Sequence, residues 1–476
     1  MLSKLNRATG FSSRTFGRID KTPYLDFIPY AGDKHRSPVT QELILQDLED
    51  FYERPSKLES KSVFARARDI VSTKFRLPRK VPVIHLNDVF LRDDLDIWSK
   101  SPGLPWRECG YTTKGDIKRD PDAVRRVRLF WRLVKSGKDI SFPDCCAFVR
   151  SHICDKNETK VRAVWGYPAT ITFGEAMFAL PLINAYQEHP RPPIAYGYEP
   201  ATGGFRKLFN RLCDQKILYG LDFKKFDKTV PAWLIDVAFD ILTENIDFSS
   251  YEGGGVPNSR ALIHMLDRIR DYFINTKVRM SSGWRYQKYS GVASGSYFTQ
   301  LIDSVVNALV LEYCFINLTG CSSDDAVFMG DDSIVAHSKD IKIEDISDCA
   351  WRNFGMEINS VKSQKSTSVS ELKFLGYRVG TLGFPQRGLD ELMAALLFPE
   401  RPDTCWDDVQ SRALGLYYAN LCMDEYFSNL CLVIIRLRPF DITLSRNFAR
   451  MLKYIGVDLK SGCDPPGFRE FMQILK

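Results

Sequence analysis

Two apolar runs, Ala326-Val327-Phe328-Met329 and Ile334-Val335-Ala336, enclose the tripeptide Gly330-Asp331-Asp332. Runs this short, built from β-branched and bulky residues and broken by a glycine, predict two strands joined by a turn. Apolar flanks on both sides mean that the acidic turn emerges from a buried sheet and not from a polar surface loop. Just upstream, Ser296 to Leu318 is a long, mostly apolar stretch that predicts a helix crossing over to that hairpin.

The rest of the chain supplies further elements. Ile217-Leu218-Tyr219-Gly220-Leu221 predicts a short strand that delivers Asp222. Pro231 then opens a helix through Trp233, Leu234, Ile235, Val237 and Phe239. Residues 276 to 289 predict a hairpin, and Val149 to Val164 predicts another, around the polar turn Asp155-Lys156-Asn157-Glu158. A basic amphipathic helix is predicted over 122–136, carrying Arg125, Arg126, Arg128, Arg132 and Lys135. Leu43, Leu45, Leu48 and Phe51 fall at helical spacing. The tail from Leu389 is helical in pattern, with Trp406, Leu414, Leu416, Tyr417 and Tyr418 as core candidates. A chain of 476 residues with this mixture predicts an α+β protein of two or three subdomains around a shared centre.

Composition excludes some classes. A hydrophobic fraction of 44% and a charged fraction of 26% argue against extensive disorder. Lys and Arg number 65 against 59 Asp and Glu, a formal charge of +6, which permits a nucleic-acid partner without requiring one. The 12 cysteines form no C-x-x-C pair, and Cys145 and Cys146 are adjacent, so thiols in a reducing compartment are expected rather than zinc or disulfides. No apolar run reaches the roughly 18 residues of a membrane span, and no apolar signal core stands near Met1. Met1 to Ile19 is rich in Arg and Ser; a transit peptide, an RNA-touching arm and a plain surface segment all fit it. Lys61, Arg66, Arg68, Lys74, Arg76, Arg79 and Lys80 form either a solvated helix face followed by a loop or an RNA-facing wall.

Phosphoryl transfer from a nucleoside triphosphate requires charge neutralisation more than covalent help. Two cations held by carboxylates supply it when acids sit at the ends of neighbouring strands. Asp222 closes one predicted strand, and Asp331 and Asp332 occupy the turn of another pair. Asp227 lies five residues after Asp222, either as an exposed acid at a helix start or beside an incoming ribose. Ser290-Gly291-Val292-Ala293-Ser294-Gly295-Ser296 is a loop of small residues that lets backbone approach a ligand. Thr299, Asp303 and Asn307 then recur every four residues on one helix face, either as polar packing or as a row beside the sugar.

In order and spacing these clusters resemble motifs A, B and C of viral RNA-dependent RNA polymerases. Lys160-Val161-Arg162-Ala163-Val164-Trp165-Gly166-Tyr167-Pro168 resembles motif F, and Ser101-Pro102-Gly103-Leu104-Pro105-Trp106 resembles motif G on the template path. Gly355-Met356-Glu357-Ile358-Asn359 with Lys362 resembles motif D, and Phe374-Leu375-Gly376-Tyr377 resembles motif E beside the primer strand. The motifs span residues 101 to 377, and their wording is most similar to the partitiviruses, with a length like that of the deltapartitivirus group.

The resemblance implies a right hand of fingers, palm and thumb, with an antiparallel palm sheet carrying the metal-binding acids. The N-terminal extension and fingers would take residues 1–215, the first palm strand 216–228, an insertion 229–289, the palm 290–377 and the thumb 378–476. It implies two Mg²⁺ or Mn²⁺ ions on Asp222, Asp331 and Asp332. Lys160 and Arg162 would contact triphosphate, and Asp227, Ser294, Gly295 and Thr299, with Asp303 or Asn307, would line the nucleotide. Lys362 would give a proton to pyrophosphate, and Ser101, Gly103, Pro105, Phe374 and Gly376 would lie along template and primer. RNA, nucleoside triphosphates and a capsid protein are the implied partners, with no membrane, and the interior of a virion in the host cytoplasm is the implied place of action. Two rivals share features. A reverse transcriptase usually carries a bulky aromatic gate and a Tyr-x-Asp-Asp turn, where this chain has Asp227 and Met329-Gly330-Asp331-Asp332. A non-catalytic RNA-binding relic would not be expected to keep every acid intact.

Overall fold

The apolar stretch behind the small-residue loop folds as a helix of 21 residues, and every side chain from Leu301 to Ile316 is buried. A helix apolar on all sides has to be surrounded by its own chain, and this one is. Its length and hydropathy are those of a membrane-crossing segment, which corrects the expectation that no apolar segment is long enough. The most apolar window of this helix is 89% buried within the protein.

The computed structural model describes residues 3–4, 22–401, 403–443, 448–449, 451–452 and 465–475. Apart from Ser3 and Lys4, the basic segment Met1 to Ile19 lies outside the described residues. In chain order come helices α1 (Gln41–Glu49), α2 (Lys61–Lys74) and α3 (Pro121–Lys135). Pro121 opens α3, and the Asp120 carboxylate caps it by accepting from the backbone N–H groups of Asp122 and Ala123. Strands β1 (Cys145–Ser151) and β2 (Val161–Gly166) precede the buried α4 (Ala169–Glu188). Next are β3 (Leu218–Leu221), α5 (Ala232–Thr243), α6 (Ser259–Ile274), β4 (Lys277–Arg279) and β5 (Trp284–Gln287). The central helix α7 (Thr299–Thr319) leads to β6 (Asp325–Met329), β7 (Asp332–Ala336), α8 (Ile343–Phe354) and β8 (Gln364–Ser366). Helices α9 (Leu389–Leu397), α10 (Trp406–Asn420) and α11 (Glu425–Ile435) follow.

Two sheets organise the body. One is wholly antiparallel, in the order β6-β7-β3-β8. The other has Ser3–Lys4 at its edge, followed by β5, β4, β1 and β2, with β4 and β1 parallel. The Val149–Val164 hairpin forms but is longer and interrupted: Cys146 pairs with Gly166 and Ser151 with Val161, while Ile153–Asp155 turns away to pair with Lys34–Arg36. Arg36 fixes that detour, donating to Ser151 O at 2.7 Å and to Phe398 O at 2.7 Å. Cys145 and Cys146 are buried in β1, and the cysteines among the described residues are free thiols.

One hydrophobic cluster runs from Ile44 to Ile358 and joins both sheets to α7. A separate cluster gathers α9, α10 and α11 with Phe471, Leu475 and Ala31. The basic segment 61–80 serves packing in part. Lys74 donates to Glu312 Oε2 at 2.9 Å and Ser323 Oγ at 2.6 Å, and Arg66 to Gly320 O at 3.1 Å. Those bonds tie α2 to the C-terminal half of α7 and the segment leading into β6, whereas Arg76, Arg79 and Lys80 remain exposed.

Candidate active site

Antiparallel register decides which acids meet. Leu221 pairs with Ser333 and Gly220 with Ile334, so Asp222 and Asp332, one step beyond, come to the same end of adjacent strands. Met329 pairs with Asp332, which leaves Gly330 and Asp331 as a two-residue turn. Asp332 therefore begins β7 and does not lie on the turn, where the sequence placed it; the ladder to β6 extends two residues beyond the apolar run, through Ser333 and Asp332.

The turn is gripped from α7. Ser304 Oγ accepts from Gly330 N at 2.9 Å, and the Asn307 amide donates to Gly330 O at 2.9 Å and Asp331 O at 3.0 Å. Gly330 has φ +66, and a Cβ there would meet the Gln300 side chain at 2.8 Å, so only glycine fits. Asp222 is anchored through its backbone: its N–H donates to Ser363 Oγ at 3.0 Å, and its carbonyl accepts from Asn359 N at 2.7 Å.

Repulsion marks the cluster. Burial raises the Asp332 carboxyl, and Asp331 and Asp222 raise it further, to about 7, although Leu375 N–H donates to it. Burial also raises Asp222, against the pull of Lys362, with Asp331 adding to the rise. Three acids whose mutual repulsion the nearby Lys362, Lys160 and Arg162 do not cancel are the donor chemistry that hard divalent ions take. Among the described residues no three acidic, imidazole or thiol groups already close on one point, so the acids converge short of a finished coordination shell.

Above them lies a cavity of about 760 Å³, lined by Lys160, Arg162, Asp222, Asp227, Ser294, Asp331 and Lys362. Sequence candidates from five separate segments thus face one space. Burial, Arg162 and Lys362 lower the Lys160 ammonium, the mark of cations packed together. Burial and then Asp331 push Asp227 up to about 6. Ser294 Oγ accepts from Trp165 N at 3.2 Å, and a Cβ on Gly295, at φ +103, would meet Trp165 O at 2.3 Å. The small-residue loop is therefore locked against β2.

Other candidates are placed differently. Thr299 Oγ1 donates to Ala293 O at 2.8 Å, inside the loop itself. Asn307 is fully buried; its amide nitrogen is spent on the hairpin turn, while its Oδ1 has no partner among the described residues. Asp303 is buried, its Oδ1 has no partner among the described residues, and burial with Asp227 and Asp331 holds its carboxyl well above the usual range. Phe374 is 1% exposed and packs near Phe205, so its ring cannot lie along a primer; the pattern of motif E hides an apolar anchor there. Gly376 is exposed at φ +76 on the turn whose Leu375 N–H reaches Asp332. Ser101, Gly103 and Pro105 form a wall that meets α4 where Ala169 N donates to Pro102 O at 2.7 Å.

Several residues that hold the site escaped the sequence reading. Asp47, on α1, accepts from Ala163 N at 2.7 Å and from Lys228, and so clamps β2 to the loop after Asp222. Asp50 pairs with Lys225 at 2.7 Å and Lys228 at 3.4 Å. Lys288, which burial pushes down to about 7, donates to the carbonyls of Phe273, Ile274 and Gly291 at 2.5, 2.9 and 2.8 Å. Glu175 accepts from Ser296 Oγ at 2.7 Å and Tyr297 N at 3.0 Å at the entrance to α7. Ser304, beside Asp303 in sequence, carried a weak signal as a hydroxyl in an apolar helix; the other four carried none.

Residues 92–388 match the family model described as viral RNA-dependent RNA polymerase. The chain is 26% identical over 346 residues to the RNA-directed RNA polymerase of Cryptosporidium parvum virus 1, covering 67% of this chain and 62% of that one. It is 27% identical over 327 residues to that of Atkinsonella hypoxylon virus, covering 60% and 49%. White clover cryptic virus 1 gives 24% over 405 residues, 79% and 59%. The chain therefore spans about half to three fifths of the length of these curated relatives. Among solved structures, the RNA-dependent RNA polymerase of a human picobirnavirus superposes with a TM-score of 0.65 at 16% identity, over 88% of this chain and 79% of that one. The Sicinivirus 3Dpol superposes at 0.69 and 15% identity, over 94% and 98%. These neighbours share the right-hand polymerase fold expected from the sequence.

Proposed function

The chain belongs to the viral RNA-dependent RNA polymerase family, and we propose that it copies RNA from an RNA template by nucleotidyl transfer assisted by two divalent ions. One observation carries the reading. Asp222 and the Asp331–Asp332 pair meet at the end of the β3–β7 ladder, beneath a cavity whose other wall is Lys160 and Arg162. Acids on one side and cations on the other suit a triphosphate lying between metal ions and basic side chains.

Asp222, Asp331 and Asp332 would hold Mg²⁺ or Mn²⁺, which when bound stabilises the attacking and leaving oxygens. Lys160 and Arg162 bind and orient the triphosphate. Asp227 and Ser294 face the ribose, with the loop carrying Gly295 and Thr299 as their support, and Asp303 behind them as a buried acid. Lys362 supplies the proton to the departing pyrophosphate. The Ser101–Pro105 turn and the Gly376 turn border template and primer. The hand divides as fingers through residue 215, palm strand 216–228, insertion 229–289, palm 290–377 and thumb from 378, a division supported by the separate apolar cluster of α9 to α11.

The substrates are RNA and nucleoside triphosphates. Replication and transcription of a double-stranded RNA genome, a capsid partner and action inside a virion in the host cytoplasm rest on the likeness to the partitiviruses. Incorporation of labelled ribonucleotides on an RNA template with Mg²⁺ tests the activity. Absence of template-directed product, or a preference for deoxynucleotides, would overturn it.

A further inference from the structure

A second concavity of about 440 Å³ opens on the fingers and shares no lining residue with the cavity over the acids. Its size is within the roughly 300–1,000 Å³ of small-molecule sites. One side is aromatic: Phe130 and Phe142 meet edge to face, with ring centroids 5.1 Å apart. The other side is basic, with Arg126, Arg279 and Arg285.

The three guanidinium groups are unequally satisfied. Arg285 grips Asp144 through two bonds, at 2.7 and 2.9 Å. Arg279 pairs with Glu108 at 2.7 Å and lies 3.6 Å from the same Asp144, and its buried Nε has no acceptor among the described residues. Arg126 makes no ion pair among the described residues. It lies over Trp106, 5.0 Å from the ring centroid, and donates to Tyr111 Oη at 3.0 Å, the hydroxyl that in turn bonds the Asp120 carboxylate. Three guanidinium groups thus stand near three carboxylates, Glu108, Asp144 and Asp120, and the exposed Arg126 is held by a ring and a hydroxyl and not by an ion pair.

We propose that this pocket binds a nucleotide unit, its base stacked on the Arg126–Trp106 pair and against Phe130, its phosphate at Arg279 and Arg285. A guanidinium plane stacks on bases, and its fork of N–H donors matches phosphate oxygens. The guanidinium forks and the idle Nε donor of Arg279 suit an anion, and the aromatic floor favours a flat apolar ring beside it. A free nucleoside monophosphate and the 5′-phosphorylated end of an RNA strand carry the same chemistry. The proposal rests on this pocket, whose rim includes Pro105 of the turn placed beside the template, and not on any role of the acids.

Photo-crosslinking to the full chain tests it, in EDTA so that metal-dependent binding over the acids is suppressed. The probes are 8-azidoadenosine 5′-monophosphate and a 5′-phosphorylated oligoribonucleotide with 4-thiouridine at its first position, and adducts are mapped by mass spectrometry. Adducts are expected within residues 126–143 or 279–285, falling about fivefold or more in Arg126→Ala, the loss of one stacked base. Arg126 is exposed, and the variant is expected to melt as the parent does. Mononucleotide adducts identify a free-nucleotide site, and adducts with the oligonucleotide alone identify a strand end. Absence of adducts in these segments with both probes, or yields unchanged in Arg126→Ala, overturns the proposal.

Discussion

The side-chain amide of Asn307, in the middle of α7, donates to the backbone oxygens of both Gly330 and Asp331. The polar stripe of the central helix thereby sets where the acidic turn stands, and the first prediction concerns it. Asn307→Ala removes two buried hydrogen bonds and should cost about 2–3 kcal/mol of stability. A displaced turn should lower kcat by about a hundredfold with little change in KM for the nucleotide. Steady-state kinetics and denaturant melts check both, and an unaltered kcat would show that the clamp does not position the acids.

Asp331 is half-buried on a two-residue turn, where it lines the cavity and not the hydrophobic core. Asp331→Ala is expected to reduce nucleotide incorporation to background while circular dichroism, melting and RNA binding stay close to those of the parent. Incorporation near the parental rate would remove Asp331 from the metal-binding set.

The ribose reading of Asp227 predicts a change in selectivity more than in rate. Asp227→Ala should bring the kcat/KM values for ribonucleotides and deoxyribonucleotides closer together. An unchanged ratio would assign Asp227 to another task in the cavity.

Asp47 joins fingers to palm from a helix far upstream in sequence. Side chains of Asp47 and Lys228 are 8% and 14% exposed, and Asp50 stands 3.4 Å from the same ammonium, so the lysine keeps a carboxylate when Asp47 is removed. Asp47→Ala should then cost about 1–3 kcal/mol, chiefly from the Ala163 N–H left without its acceptor. Asp47→Asn keeps an acceptor for Ala163 N–H, and its nucleotide KM should rise by about tenfold with kcat less affected. Equal kinetics in Asp47→Asn and the parent would reduce Asp47 to a folding role.

Glu175 gives the chain a pH-dependent stability. Burial raises its carboxyl from 4.5 to about 7, despite the bonds from Ser296 and Tyr297. The folded state therefore holds a proton that the unfolded state releases. The stability it contributes is complete below about 4.5 and is lost as pH rises to 7, by up to about 3 kcal/mol. Glu175→Gln should flatten this dependence in denaturant melts from pH 4 to pH 8, and a parallel pair of curves would contradict it.

Much of the site was legible because its chemistry is local. The hairpin around Gly330, the strand ending at Asp222 and the loop at Ser294 each announce themselves through apolar runs and small residues that need no distant partner. The stripe Thr299-Asp303-Asn307 was visible as a pattern, yet its purpose was not: two of the three groups turn to the chain's own backbone. Phe374 misled because a motif residue can be conspicuous for packing alone. The diverted strand at Ile153 was hidden because its partner, Lys34–Arg36, lies more than a hundred residues away in the chain.

What the sequence determined by itself was the identity and order of the acids and cations, since periodicity and turn chemistry act over a few residues. Only the folded chain decided that Asp332 belongs to a ladder, that Asn307 holds a turn and that Asp47 ties β2 to Lys228. Those outcomes depend on register and on burial, which arise when distant segments exclude water between them, and no local pattern encodes them.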